Sequence, residues 1–161
     1  MPAEPAEAAP AHLFDHPDLS RQWILRRLQR ALTADLAATA LLSGLAASVA
    51  KRDRPFLANL ASGAAERAER VRDLIIELRS SPYSSIGLAR RVSTAGGFVL
   101  GWTGSALWRP CIRRLATHML SEYDLLISLV AGAGGVDPGL VEQLRPLLAS
   151  ARSQHESLEP R

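Results

Sequence analysis

Apolar residues recur with the spacing of an α-helix along most of the chain, and this pattern constrains the fold more than any other feature. One face of the first helical stretch, residues 18–52, collects Leu25, Leu28, Leu32, Leu42 and Ala46. No run of strand length alternates apolar with polar residues, as a half-buried strand would. Ala, Leu and Arg dominate the composition, and all three favour helices. The sequence therefore predicts an all-α protein.

The length and the cysteine content bound the domain organisation. A chain of 161 residues suits one domain with a single core. Residues 1–17 are rich in Pro, Ala and Glu and lack the basic start and apolar run of a signal peptide, so we predict a disordered tail there. Residues 18–158 then form one helical-bundle domain. Cys111 is the only cysteine, which excludes an intrachain disulfide and favours a reducing, cytoplasmic compartment.

Three further helical stretches follow the first. The second is predicted to begin at Asp53 and to end before Pro82, with its alternating acids and arginines, Arg67 among them, on a solvated face. Pro110 is predicted either to kink a helix or to restart one, and the continuation is predicted to bury Cys111 and to end at Gly134-Gly135. The last helix is expected to begin near Asp137-Pro138.

Residues 92–108 form an unusual segment, VSTAGGFVLGWTGSALW, which contains four glycines and no charged residue. Arg90, Arg91 and Arg109 flank it, and its two tryptophans, Trp102 and Trp108, suit a lipid interface. At 17 residues it is short for a membrane span. Two interpretations stay open: a segment lying in the membrane interface, and a buried core helix whose glycines allow close packing.

Four polar residues share the phase of the apolar stripes: Asp35, His118, Glu122 and His155. A carboxylate such as Asp35 on a core face must be paired, metal-bound or protonated. One interpretation is a core polar cluster that forms a single-metal site or hydrogen-bonds a quinone head group. The other is a salt-bridge network, with His118 and Glu122 as an ordinary pair one helical turn apart.

Three stretches of sequence resemble the ferritin-like superfamily, in particular the demethoxyubiquinone hydroxylases, which are membrane-associated di-iron proteins of ubiquinone biosynthesis. The run from Asp35 to Gly44 has the spacing of that family's Glu-x-Gly-Ala-x-x-Ile-Tyr-x-Gly motif. Gly97-Phe98-Val99-Leu100-Gly101 is similar to its Gly-Phe-x-Leu-Gly motif. The distance from Cys111 to Glu122-Tyr123 matches its spacing from Cys to His-Tyr. The resemblance implies a ferritin-like four-helix bundle.

The departures from the family fall on the metal ligands. Such a site takes a Glu from each of two helices and a Glu-x-x-His from each of the other two. Here Asp35 stands at the first position, Ala116 at the third-helix Glu, and Arg152 at the Glu ahead of His155. The second helix offers either Glu66 and Glu69 or, one residue earlier, two alanines that its apolar phase favours. The vestigial candidates are Asp35, Glu66, Glu69, Glu122 and His155.

The sequence thus favours a non-catalytic relative of the quinone hydroxylases, without a cofactor, acting as an accessory subunit at the inner face of a membrane. Its partners would be the membrane surface, a quinone or isoprenoid lipid, or a membrane-protein complex; nucleic acid is not expected, because the net charge is only +3. Alternatives are a divergent iron-dependent quinone monooxygenase and a ligand-free, oligomeric interaction subunit. The predicted contact residues are Phe98, Leu100, Trp102, Leu107, Trp108 and Tyr123. For Tyr123 the other interpretation is core packing with one satisfied hydroxyl.

Overall fold

A computed structural model describes residues 17–82, 86–132 and 138–158. Within these ranges all of the regular secondary structure is helical, which confirms the predicted all-α class. The helices are α1 Pro17–Ser48, α2 Arg54–Glu77, α3 Ile86–Trp102, α4 Ser105–Gly132 and α5 Pro138–Glu156. Pro17, the last residue of the predicted tail, is the first residue of α1. Residues 1–16 of that tail, the glycine pair predicted to end α4 and the Asp137 cap lie outside the described residues.

Helix α1 lies at the centre of the packing and contacts α2, α3 and α4. Helix α5 packs against α4 and, less extensively, against α2. Helices α1, α2, α5 and α4 therefore enclose a common core, while α3 lies outside this group against α1. Short connections between successive long helices favour such neighbouring placement.

Two large apolar clusters fill the space among these helices. One joins the first half of α1 to the second halves of α2 and α4 and to α5, and includes Leu28, Leu32, Ile75, Leu126 and Leu144. The other joins the second half of α1 to the first halves of α2 and α4 through Leu42, Leu45, Leu57, Trp108 and Ile112. Ala38, Ala64 and Met119 pack together at the level between the two.

The uncharged segment 92–108 divides into parts of two helices. Helix α3 ends at Trp102 and α4 begins at Ser105, with Gly104 at a φ of 86°, a value that glycine adopts without strain. Pro110 accordingly lies inside α4 and does not start it. The prediction that Trp108 contacts lipid or a partner is wrong, because the start of α4 places its side chain in the core, one turn before Ile112.

The same change of phase moves Cys111. Its side chain is exposed, against the prediction that it is buried, because Ile112 occupies the core-facing position at this level of α4. The buried side of α4 runs through Trp108, Ile112, Ala116 and Met119, and Cys111 lies off this line.

Helix α3 approaches α1 closely along a seam of small residues. A Cβ atom added at Gly97 would overlap the Leu41 carbonyl, and one added at Gly44 would overlap the Thr94 carbonyl. The two backbones therefore touch without intervening side chains, as small residues permit between helices. The expectation of glycines used for close packing holds for this inner side of α3.

Within the described residues, one helical segment, Leu19–Ser48 of α1, is long and apolar enough to cross a membrane by length and composition. A core helix of a soluble protein meets the same two conditions, and α1 contributes residues to both large apolar clusters.

Candidate functional site: a buried polar layer and an exposed helix face

Three charged or polar side chains from three helices meet in the core between the two apolar clusters. Asp35 of α1 is fully buried, and Arg67 of α2 is only 2% exposed. The Nε and Nη2 atoms of Arg67 lie 3.0 Å and 2.9 Å from Asp35 Oδ1, and the Tyr123 hydroxyl of α4 donates to Asp35 Oδ2. Both carboxylate oxygens are therefore occupied by protein donors.

Helix α5 completes this buried polar layer. Arg67 donates from Nη2 to Gln154 Oε1 at 2.6 Å and from Nη1 to Ser150 Oγ at 3.3 Å. Gln154 in turn donates to the Leu60 carbonyl of α2 at 2.9 Å. Among the described residues, no buried side-chain nitrogen or oxygen lacks a hydrogen-bond partner. The layer thus joins α1, α2, α4 and α5 at one level, with its polar groups satisfied.

Burial dominates the electrostatics of the layer. Desolvation raises the pKa of the Asp35 carboxyl above its ordinary value of 3.8, and the positive charge of Arg67 and the hydrogen bonds from Tyr123 and Arg67 oppose this rise. Burial, and then the neighbouring Asp35 charge, raise the pKa of the Tyr123 hydroxyl well above its ordinary value of 10.0. Tyr123 therefore stays protonated as a donor across the physiological range.

The predicted core cluster of Asp35, His118, Glu122 and His155 does not assemble. Glu122 instead pairs with Arg27 of α1 at 3.2 Å, and Arg27 also stacks on the Trp23 ring. His155 is half-buried and shares a hydrogen bond with Thr117 at 3.1 Å. His118 is exposed. Of these four residues only Asp35 belongs to the buried layer, and its partners there, Arg67 and Tyr123, are not in the predicted cluster.

The candidate vestigial ligands are likewise apart. Glu66 and Glu69 are exposed on α2, where Ser62 donates to the first and Arg72 pairs with the second. The alanines of the alternative register face inward, Ala68 fully and Ala65 partly, as the helix phase predicts. In the part of the chain that the structure describes, no three His, Cys, Asp or Glu side chains come close enough together to hold a metal ion.

Two members of the buried layer contradict their sequence predictions. Arg67 was assigned to the solvated face of α2 because it stands among alternating charges, yet it is buried. Its signal is positional: Leu60, Ala64, Arg67 and Val71 follow the three- and four-residue spacing of the stripe. Tyr123 is 1% exposed and donates to Asp35, which contradicts its predicted contact with a lipid or partner and agrees with the other interpretation, core packing with one satisfied hydroxyl.

The outer face of α3 is the second notable feature. Trp102 is 73% exposed, Val99 62% and Leu107, at the start of α4, 57%. Phe98 is partly exposed and its ring lies 5.2 Å from that of Trp102. Val92 is also exposed, whereas the predicted contact residue Leu100 is half-buried against the core. We call Val92, Phe98, Val99, Trp102 and Leu107 the apolar face.

The charge is divided unevenly along the sequence, and the segment that contains the apolar face is the positive part. The segment from Leu78 to Ser121 contains six arginines and no acidic residue, a net charge of +6. The remaining residues carry 13 Lys or Arg against 16 Asp or Glu, a net charge of −3. Arg109, Arg113 and Arg114 in this segment are exposed. Arg109 pairs with Asp53 at 3.9 Å, and Arg113 and Arg114 have no acidic partner among the described ion pairs. Exposed apolar area and an excess of positive charge thus occur in the same stretch of the chain.

Comparison with known proteins assigns no family: no family model, curated protein or solved structure matches the chain.

Proposed function

We propose that this protein is a non-catalytic helical bundle that attaches peripherally to an anionic membrane surface through the apolar face of α3. Helices α1, α2, α4 and α5 would form a four-helix bundle of the ferritin-like kind, and α3 would be the added membrane-contacting element. The protein would act as a binding or accessory subunit at that surface, for a quinone or isoprenoid lipid or a membrane-bound complex.

The coincidence of the apolar face with the +6 segment carries this proposal. A helix that lies in a bilayer interface needs apolar and aromatic side chains on one side and cations near the lipid phosphates. Trp102 supplies the aromatic ring typical of that depth, and the exposed arginines of α4 supply the charge. Each cation near an anionic surface adds about 1 kcal/mol of attraction.

The non-catalytic part of the proposal is supported by the buried polar layer. In a di-iron bundle the inward carboxylates are held ready for metal. Asp35 is instead bonded by Arg67 and Tyr123, and a guanidinium at this position repels cations and stays protonated. The layer fills the centre of the bundle with its own ion pair, a structural role that needs no bound group.

Vesicle flotation tests the proposal. The intact protein should float with vesicles containing phosphatidylglycerol and much less with pure phosphatidylcholine, and the difference should shrink in high salt. Changing Phe98 and Trp102 to Ser should reduce flotation strongly, since both side chains are exposed on the apolar face. The matched control changes Leu19 and Ile76 to Ser, which are also exposed but lie on α1 and α2.

Equal flotation of the apolar-face variant and the control variant would remove the membrane claim. Failure of the unaltered protein to float, together with concentration-dependent self-association lost in the Phe98 and Trp102 variant, would instead assign the apolar face to a protein interface. The non-catalytic claim has its own readout, which is iron content after growth with added iron. About two irons per chain would contradict it.

A further inference from the structure

A groove of about 850 Å³ runs between α1 and α3, beside the apolar face. Its floor is made of small residues of α1, namely Ser43, Gly44 and Ala47, and its outer wall is made by α3. The α3 wall includes Ala95, Phe98 and Val99. The size falls within the range of about 300–1,000 Å³ that ligand sites occupy.

The groove opens on the side of α3 that carries the exposed apolar residues. Phe98 and Val99 belong both to the groove wall and to the apolar face. The glycine seam explains why the groove exists, because backbone contact at Gly44 and Gly97 leaves a furrow with little side-chain filling on its flank. A hydrocarbon chain leaving a bilayer under α3 would enter the groove without crossing a polar rim.

One cation marks the end of the groove. Arg91, in the second turn of α3, lines the groove and is exposed. Within the described residues it has no ion pair or hydrogen bond, unlike Arg27, Arg67 and Arg72. Its guanidinium has the geometry to receive two oxygens of a phosphate.

We infer that the groove between α1 and α3 binds one anionic phospholipid, with an acyl chain along Ala47, Ala95 and Phe98 and the phosphate paired with Arg91. This inference rests on the proposed membrane attachment and specifies it further: beyond a general attraction, the protein would hold a single lipid in a defined site. The single cation at one end of the groove and its apolar walls match an amphiphile with a compact negative head group.

Binding of a monomeric short-chain lipid tests the groove apart from the bilayer. Dihexanoyl phosphatidylglycerol, kept below its critical micelle concentration, should bind the full chain saturably at one site in a calorimetric titration. Dihexanoyl phosphatidylcholine, the neutral match, should bind more weakly. Arg91→Gln should lower the affinity for the anionic lipid about fivefold, as expected for one cation near a phosphate.

Ala47→Leu fills the groove from the α1 side, and Ala58→Leu is its matched control on an exposed position of α2. The first should abolish binding of the short-chain lipid and the second should leave it unchanged. Neither residue belongs to the apolar face, so vesicle flotation should persist in both.

The outcomes separate the groove from the proposed function. Saturable binding that Arg91→Gln and Ala47→Leu leave unaltered would overturn the groove assignment, as would an absence of saturable binding, even where flotation is normal. Equal competition by inorganic phosphate would show a phosphate site without a lipid-chain site and would also overturn it. Because Phe98 belongs to both surfaces, the Ala47→Leu variant separates them: it fills the groove and leaves the apolar face intact, so it should lose short-chain lipid binding and keep flotation.

Discussion

Replacing Arg67 with Met would leave the Asp35 carboxyl in the core with the Tyr123 hydroxyl as its remaining donor in the described structure. Removing one partner of a buried ion pair costs about 3–5 kcal/mol, because the other charge stays desolvated. Protonation of Asp35 limits the loss of stability to a similar value, because the carboxyl can become neutral instead of staying charged in the core. Protonating at pH 7 a carboxyl whose ordinary pKa is 3.8 costs about 4 kcal/mol at about 1.36 kcal/mol per pH unit.

Urea unfolding followed by far-ultraviolet circular dichroism would measure this loss. With a denaturant slope of about 2 kcal/mol per molar, the midpoint of the Arg67→Met variant should fall by about 1.5–2.5 M at pH 7. The penalty should also depend on pH. Without Arg67 the folded-state pKa of Asp35 lies further above 3.8, so the variant should regain stability relative to the parent as the pH falls from 7 towards 4.

A double variant separates charge from packing. Changing Asp35 to Leu together with Arg67 to Met removes both charges and retains most of the volume, so its stability should return to within about 1–2 kcal/mol of the parent or exceed it. Ser150 and Gln154, which lose Arg67, are only half-buried beside a cavity of about 360 Å³ that water can enter. A loss below about 1 kcal/mol in the single variant, or a double variant no better than the single one, would refute the reasoning.

Three smaller predictions follow from single positions. Because the folded-state pKa of Tyr123 is raised, the free energy of unfolding of the parent should fall by about 1.4 kcal/mol per pH unit above pH 10, relative to that of Tyr123→Phe. Urea unfolding at pH 9 to 11 measures this difference, and parallel pH profiles of the two proteins would contradict it. Gly97→Ala should lower the free energy of unfolding by about 1–3 kcal/mol, because the added Cβ overlaps the Leu41 carbonyl. Gly96→Ala, whose Cβ would lie 3.9 Å from Leu41 Cδ1, should be neutral or slightly stabilising in thermal melts. Cys111 should react completely with a thiol reagent in the native protein, and protection until unfolding would show that it is buried.

Helical periodicity predicts the all-helical structure, but it does not predict which residues face the core after a helix is interrupted. The apolar stripe of α2 is correct from Leu57 to Ile75, because one uninterrupted helix keeps one phase. At the α3–α4 junction a two-residue break places Trp108 on the buried side of α4, and Cys111, three residues later, lies off that side. A sequence period cannot locate such a break when no charged residue marks the exposed side.

Of the residues in the buried polar layer, the sequence singles out only Asp35 as a buried charge. Asp35 stands out because it is acidic in an apolar stripe, and such a residue requires a partner. Its partner Arg67 shares the spacing of the α2 stripe, but its place among alternating charges favours a solvated face and outweighs that signal. The pairing depends on how α1 and α2 are placed against each other, which no spacing within α2 reveals. For Tyr123, core packing with a satisfied hydroxyl is one of the two sequence interpretations, but the acceptor, Asp35, depends on the same placement of helices and is not predictable from spacing.

The position of Asp35 has a consequence for how α1 is sorted during synthesis. By length and composition the segment Leu19–Ser48 resembles a membrane span. An aspartate near the middle of such a segment raises its insertion free energy by about 2.5–3.5 kcal/mol, which disfavours entry into the bilayer before α2 is made. Once α2 is available, Arg67 neutralises the same residue inside the bundle. The Asp35 carboxylate therefore disfavours insertion of α1 into the lipid core and, once paired with Arg67, is accommodated when α1 packs in its own domain.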